Sequence, residues 1–149
     1  MSSPPPARFS ADIKVRFSDV DRAGIAYYPR VIHWLHVAFE EFFEQFCGVP
    51  YATVLEKENL GFPAVDLKTE FVAPCRFGEV LTVHVSLAKV GTSSSVFRYR
   101  IVGKGGDERV RALVTVVCVR LDVLQSTPLP ARYREKFLAL LDPPAGGAP

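Results

Sequence analysis

The residues best placed to do chemistry lie in the stretch Phe17-Ser18-Asp19-Val20-Asp21-Arg22-Ala23-Gly24-Ile25-Ala26-Tyr27-Tyr28-Pro29. It holds two carboxylates, Asp19 and Asp21, just ahead of a long helical pattern. Gly24 permits a positive φ or a close approach of backbone to a ligand. The first turn of a helix offers N–H groups without intrahelical acceptors and a partial positive charge of roughly +0.5. Pro29 has no N–H, so the donors expected are the amides around Tyr28 and Arg30. Such amides can hold a carbonyl oxygen while a nearby carboxylate activates water or attacks directly, which is the chemistry of acyl transfer. On residue types alone a second reading stays open, in which Asp19 and Asp21 cap the helix and shape the loop.

The elements that must position this loop follow from periodicity. Ile13, Val15 and Phe17 alternate with polar residues and predict a strand over about 12–18. Pro29 suits a first helical turn, and Gly48 with Pro50 ends a helix that runs to about Cys47. Arg30, His33, His36, Glu40, Glu41 and Glu44 make one polar stripe on it. The remaining arc is apolar, too wide for a helix lying on a surface, so other structure must wrap it. A short helix is expected near 52–58. Strands follow at about 63–73, 79–90, 94–104 and 109–121, with Gly91-Thr92 and Gly105-Gly106 at hairpin turns. The last strand is apolar at almost every position, as if covered on both faces. A final helix over about 131–141 caps an edge. The expected class is α+β: a five-stranded antiparallel sheet wrapped around one long central helix.

The 149 residues fit one domain over 11–141, with Pro-, Gly- and Ser-rich tails at 1–10 and 142–149. A chain of this size buries roughly 70% of its unfolded surface and needs no disulfide or metal. Its net charge of +2 argues against a nucleic-acid or membrane-surface partner. Cys47, Cys75 and Cys118 are odd in number and far apart, which disfavours a zinc cage or a disulfide framework and fits reduced thiols. The opening MSSPPPARFS lacks the apolar region of a signal peptide, and no stretch reaches the ~20 apolar residues of a membrane span. A cytoplasmic protein without metal or cofactor is expected.

The segment Asp-Val-Asp-Arg-Ala-Gly-Ile-Ala-Tyr-Tyr-Pro over 19–29, with Trp34 following on the helix, closely resembles the signature of the 4-hydroxybenzoyl-CoA thioesterase family. Phe71-Val72-Ala73-Pro74-Cys75-Arg76-Phe77-Gly78-Glu79 is similar to that family's strand and turn after the helix. The resemblance covers about 12–125. It implies the hot-dog fold and hydrolysis of an acyl-CoA thioester. It implies Asp21 as the catalytic carboxylate and the Tyr28 amide as the group polarising the carbonyl. It also implies substrate contacts at Gly24, Gly61 and Pro63. Many bacterial relatives carry His where this chain has Tyr28, so that position looks closer to the aryl-CoA branch. A homodimer or homotetramer with sites between subunits is implied as well.

Other candidates carry less. Asp19 reads as a loop-shaping group. His33 and His36 lack a third metal ligand, and His84 lies on the polar face of a strand. Glu40 and Glu41 are redundant beside Asp21, although another hot-dog branch places a catalytic Glu on this helix. Asp66 and Lys68 share a strand face that could line an acyl pocket. Lys89, Arg98, Arg100, Arg109 and Arg111 are strand cations able to meet phosphate. Gly103-Lys104-Gly105-Gly106 is not followed by a helix and so is no phosphate loop. The rival functions are a non-catalytic acyl-CoA or acyl-carrier binding module and a hot-dog dehydratase or hydratase. The second would use a catalytic His, and none lies in 19–29.

Overall fold

Phe42 and Phe43, both fully buried, sit where a long helix crosses the inner face of a sheet. The computed structural model describes residues 8–144, so the tails expected at 1–10 and 142–149 lie mostly outside the described residues. The helix, α1, spans Tyr28–Glu41 and continues without a break as a π-helical segment over Phe42–Cys47. Gly48 closes it in the left-handed region at φ +79°, its N–H bonded to the Phe43 carbonyl. The helical end is therefore where Gly48 and Pro50 predicted it.

The main sheet has five antiparallel strands: β1 (Phe9–Lys14), β3 (Ala64–Phe71), β4 (Val80–Val90), β5 (Ser94–Val102) and β6 (Glu108–Val117). Their spatial order is β1-β4-β5-β6-β3. Alternation aims Leu81, Val83, Val85, Leu87, Phe97, Tyr99 and Ile101 at the helix, and all are buried. Val31, Trp34, Leu35, Ala38 and Phe39 answer from α1. Helix α3 (Ala131–Ala139) adds Phe137, whose ring lies 5.5 Å from Phe42 and 5.2 Å from Phe97. Edge-to-face rings such as Phe42 and Phe97, 5.5 Å apart at 80°, contribute beyond their buried area.

Two elements differ from the pattern reading. The first strand starts at Phe9 and ends at Lys14, because Phe9, Ala11 and Ile13 supply the inward set. Beyond Val15 the chain turns into a short 3₁₀ segment, Phe17–Asp19, which leaves Phe17 79% exposed. The apolar run over 109–121 is not one strand. At Cys118 the N–H still meets the Ser93 carbonyl at 2.8 Å, one step past the Ser94–Val117 pair, but its carbonyl takes the Thr127 N–H at 2.9 Å and β7 (Val119–Arg120) joins a second sheet. That sheet has three short strands, β2 (Leu60–Gly61), β7 and β8 (Gln125–Ser126), with β7 in the middle. A short helix, α2 (Tyr51–Glu56), precedes it.

Strand β3 pairs with β6 on one side only. Val65, Leu67 and Phe71 on it are 63%, 47% and 52% exposed, so the edge strand projects past the helix that covers the others. An open edge strand of eight residues with exposed apolar side chains on one face invites a second chain.

Candidate active site

Asp19 is 3% exposed and anchors the loop at both ends. Its carboxylate accepts the Arg16 N–H at 2.8 Å and the Arg30 Nε–H at 2.9 Å, and its carbonyl accepts the Tyr27 N–H at 2.8 Å. Between these ties the chain closes on itself. The Asp21 N–H bonds the Ile25 carbonyl at 3.0 Å, and the Gly24 N–H bonds the Asp21 carbonyl at 3.0 Å. Gly24 takes φ +76° to make that turn, a conformation costly for a residue with Cβ. The loop-shaping role read for Asp19 is thus visible as specific bonds.

Asp21 sits at the tip. Its Oδ1 accepts the Ala23 N–H at 2.8 Å, the side chain is exposed, and among the described residues no donor meets Oδ2. One oxygen is fixed and the other is free. Tyr27, in extended geometry, is the residue before the helix, and its carbonyl takes the Arg30 N–H at 2.9 Å. The donor expected at Arg30 is therefore already occupied. Among the described residues no acceptor meets the Tyr28 N–H. The helix start thus offers the Tyr28 amide unpaired, at the end of the loop that carries Asp21.

A second segment backs the loop. The Ala26 N–H bonds the Cys75 carbonyl at 2.8 Å, and the Phe77 N–H bonds the Gly24 carbonyl at 3.0 Å. The turn Pro74–Glu79 is itself clamped by Arg109, whose Nη1 and Nη2 meet the two Glu79 oxygens at 2.8 Å each. Nη1 also donates to the Pro74 carbonyl at 2.9 Å. Bonding to the Arg109 guanidinium is the main cause that lowers the Glu79 carboxyl to about 2.

Two apolar cavities follow α1 inward. The first, about 280 Å³, is lined by Ile25, Ala26, Tyr28, Val31, Phe71 and Val110. The second, about 340 Å³, is lined by Ile32, Leu35, His36, Phe39, Pro63 and Tyr99 among others. Eight residues separate Tyr28 from His36, roughly 12 Å along the helix. Pro63 faces this second cavity. Gly61 lies in β2, where an added Cβ would come within 2.6 Å of Leu121 Cδ2, so its contact is with that side chain. Sequence reasoning missed Tyr99, which is 3% exposed, and the apolar lining of α1. Their alternation was read as core packing, which it also is.

The remaining candidates lie apart. Glu40 pairs with His36 at 3.0 Å, both half-exposed, and the His36 ring stacks on Phe39 at 5.7 Å. Asp66 and Lys68 approach each other at 3.9 Å on the sheet face away from α1. Among the described residues no group of three or more His, Cys, Asp or Glu could hold a metal ion, and no helix is long and apolar enough to cross a membrane.

The fold is the hot-dog fold, and comparison with known proteins places the chain among thioester hydrolases. The chain belongs to the thioesterase-like superfamily, whose sequence model matches residues 15–137. It is 28% identical over 116 residues to 1,4-dihydroxy-2-naphthoyl-CoA hydrolase of Thermosynechococcus vestitus, covering 78% of this chain and 79% of that protein. It is 32% identical over 98 residues to 4-hydroxybenzoyl-CoA thioesterase of a Pseudomonas species, covering 63% and 69%. In fold it matches the crystal structure of a 1,4-dihydroxy-2-naphthoyl-CoA thioesterase from Synechocystis with a TM-score of 0.81. There the identity is 22%, over 92% of this chain and all of the other.

Proposed function

We propose that this chain hydrolyses acyl-CoA thioesters to a free acid and CoA, with Asp21 as nucleophile or general base and the Tyr28 amide polarising the carbonyl. The observation that carries the reading is a half-satisfied Asp21 carboxylate at the tip of a tied loop that leads into the unused Tyr28 N–H. As base, Asp21 takes a proton from water, the hydroxide adds to the carbonyl carbon, and the C–S bond breaks to release thiolate. As nucleophile, Asp21 displaces the thiolate to give a mixed anhydride, which water then cleaves. Negative charge gathers on the carbonyl oxygen in both routes, and an oriented amide counters it.

Several relatives are named for CoA thioesters of hydroxylated aryl acids, which favours an aryl-CoA substrate, while others are named only as acyl-CoA thioesterases. The two apolar cavities past Tyr28 supply room for such an acyl group, with Gly24 giving the turn its approach and Pro63 lining the inner end. Gly61 would act through the position of the Leu121 side chain it packs against. The open β3 edge and the exposed Tyr27, Tyr28, Phe71 and Val72 support a homodimer joined edge to edge, able to pair again into a tetramer. Three free, separated cysteines accord with a cytoplasmic setting.

Thiol release from a panel of aryl-, short- and long-chain acyl-CoAs tests the proposal. Asp21→Asn should lower kcat by ~10²-fold or more on the best substrate. An unchanged rate would sink the assignment. Binding of the panel with no thiol released by the parent chain would favour the non-catalytic module.

A further inference from the structure

The sheet face turned away from α1 carries a row of cations. Register sets His84 of β4 directly opposite Arg100 of β5, and Arg100 directly opposite Arg111 of β6. Residues so opposed stand ~4.5–5.5 Å apart at Cβ, and like charges there destabilise a sheet. The acids nearby serve other members of the face. Asp142 holds Arg98 at 2.7 Å, Glu108 bonds Arg111, and Glu70 stands 3.8 Å from Arg111. On the β1 side the row ends in uncharged Ser10, opposite His84, and the next acid, Asp12, is bonded to Thr82. Among the described residues Arg100 and His84 have no carboxylate within ion-pair distance.

These groups line a hollow of about 330 Å³, together with Arg8, Ser86, Arg98 and Asp142. Burial, and after it the charges of Arg100 and Arg8, lower the His84 pKa. A protein gains nothing in stability from cations crowded this way. A dianion among them would turn the repulsion into attraction.

We propose that the hollow between Arg8, His84 and Arg100 is an anion site that takes a phosphate group, as a monoester or diphosphate. Phosphate fits better than a single carboxylate. It carries up to two charges and enough acceptor oxygens to meet two guanidinium forks, an imidazolium and the Ser86 hydroxyl together. The site lies on the opposite side of the sheet from the helix-start loop and does not rest on the thioesterase reading. The phosphate could come from the nucleotide end of a CoA substrate or from free phosphate.

The test follows the three histidines by NMR on the full chain with labelled His, the His84 signal being assigned by H84Q. The pH titration is repeated with inorganic phosphate replacing chloride at constant ionic strength, and again with adenosine 3′,5′-bisphosphate. A saturable rise of the His84 midpoint by roughly half to one unit is expected, with His33 and His36 unmoved. Arg100→Gln should abolish the rise while melting no lower than the parent, since it removes a like charge. A response to the bisphosphate at far lower concentration assigns the site to the nucleotide end of CoA, and equal responses assign it to phosphate in general. An unmoved His84 midpoint with both ligands, or the same rise in Arg100→Gln, overturns the proposal.

Discussion

Asp19 and Arg30 form an ion pair at 2.9 Å that joins the loop ahead of α1 to the helix's first turn, with Asp19 buried and Arg30 half-exposed. The tie fixes where Asp21 stands relative to the Tyr28 amide, although neither partner is read as a catalytic group.

Removing that tie separates positioning from chemistry. Asp19→Ala should cost about 1–3 kcal/mol of stability, since it strands the Arg16 N–H and the Arg30 guanidinium. Asp21→Asn should leave the melting temperature nearly unchanged, because Asp21 is exposed and makes one local bond. Thermal melts run beside thiol release check both. A strongly destabilised Asp21→Asn would mean that Asp21 is chiefly structural.

Tyr28 acts through its backbone in this reading, so its hydroxyl should be dispensable. Tyr28→Phe is expected to keep kcat within a few-fold of the parent, as steady-state kinetics would record. A drop as deep as that of Asp21→Asn would move the role to the phenol.

Acid should loosen the back wall of the site. The Glu79 carboxyl titrates near 2 in the folded chain, below its ordinary value of 4.5, chiefly because Arg109 bonds the charged form. A lowered folded pKa gives stability that is present above the unfolded value and lost as pH falls from about 5 toward 2. Melting temperature measured across that range should fall less steeply in Glu79→Gln than in the parent. At neutral pH the same variant should be less stable by about 1–3 kcal/mol.

The β3 edge predicts assembly. Leu67→Asp places a charge on its exposed apolar side and should shift the chain to monomer in light scattering after size exclusion. Thiol release should fall with it if the site is shared between subunits. An unchanged mass would remove β3 from the interface.

Much of this was legible in the sequence because the signals were local. Pro29 and Gly48 bracket the helix, and the alternation in β4 and β5 gave the inward faces residue by residue. The first strand was placed three residues late at its start and four at its end, because Val15 and Phe17 continue the alternation in type, while only Val15 continues it in space. The break at Cys118 was invisible for a related reason. Val117 and Val119 are equally good strand residues, and what separates them is a change of partner, from Ser94 for Val117 to Gly61 and Ser126 for Val119. At the candidate site, the motif pointed to Asp21 and Tyr28 as the groups to test, but the clamp of Arg109 on Glu79 joins residues thirty apart and leaves no local trace. The lining by Tyr99 was hidden because a wall of a cavity and a wall of a core have the same alternation.

The bonds from Ala26 to Cys75 and from Phe77 to Gly24 also bear on how such a loop could be transplanted. Residues 19–27 borrow their shape from 74–79, which in turn borrow theirs from Arg109. A recipient scaffold given the first segment alone would receive the motif's letters without its curvature. The smallest portable unit is all three pieces, exchanged together and already facing one another across the receiving sheet.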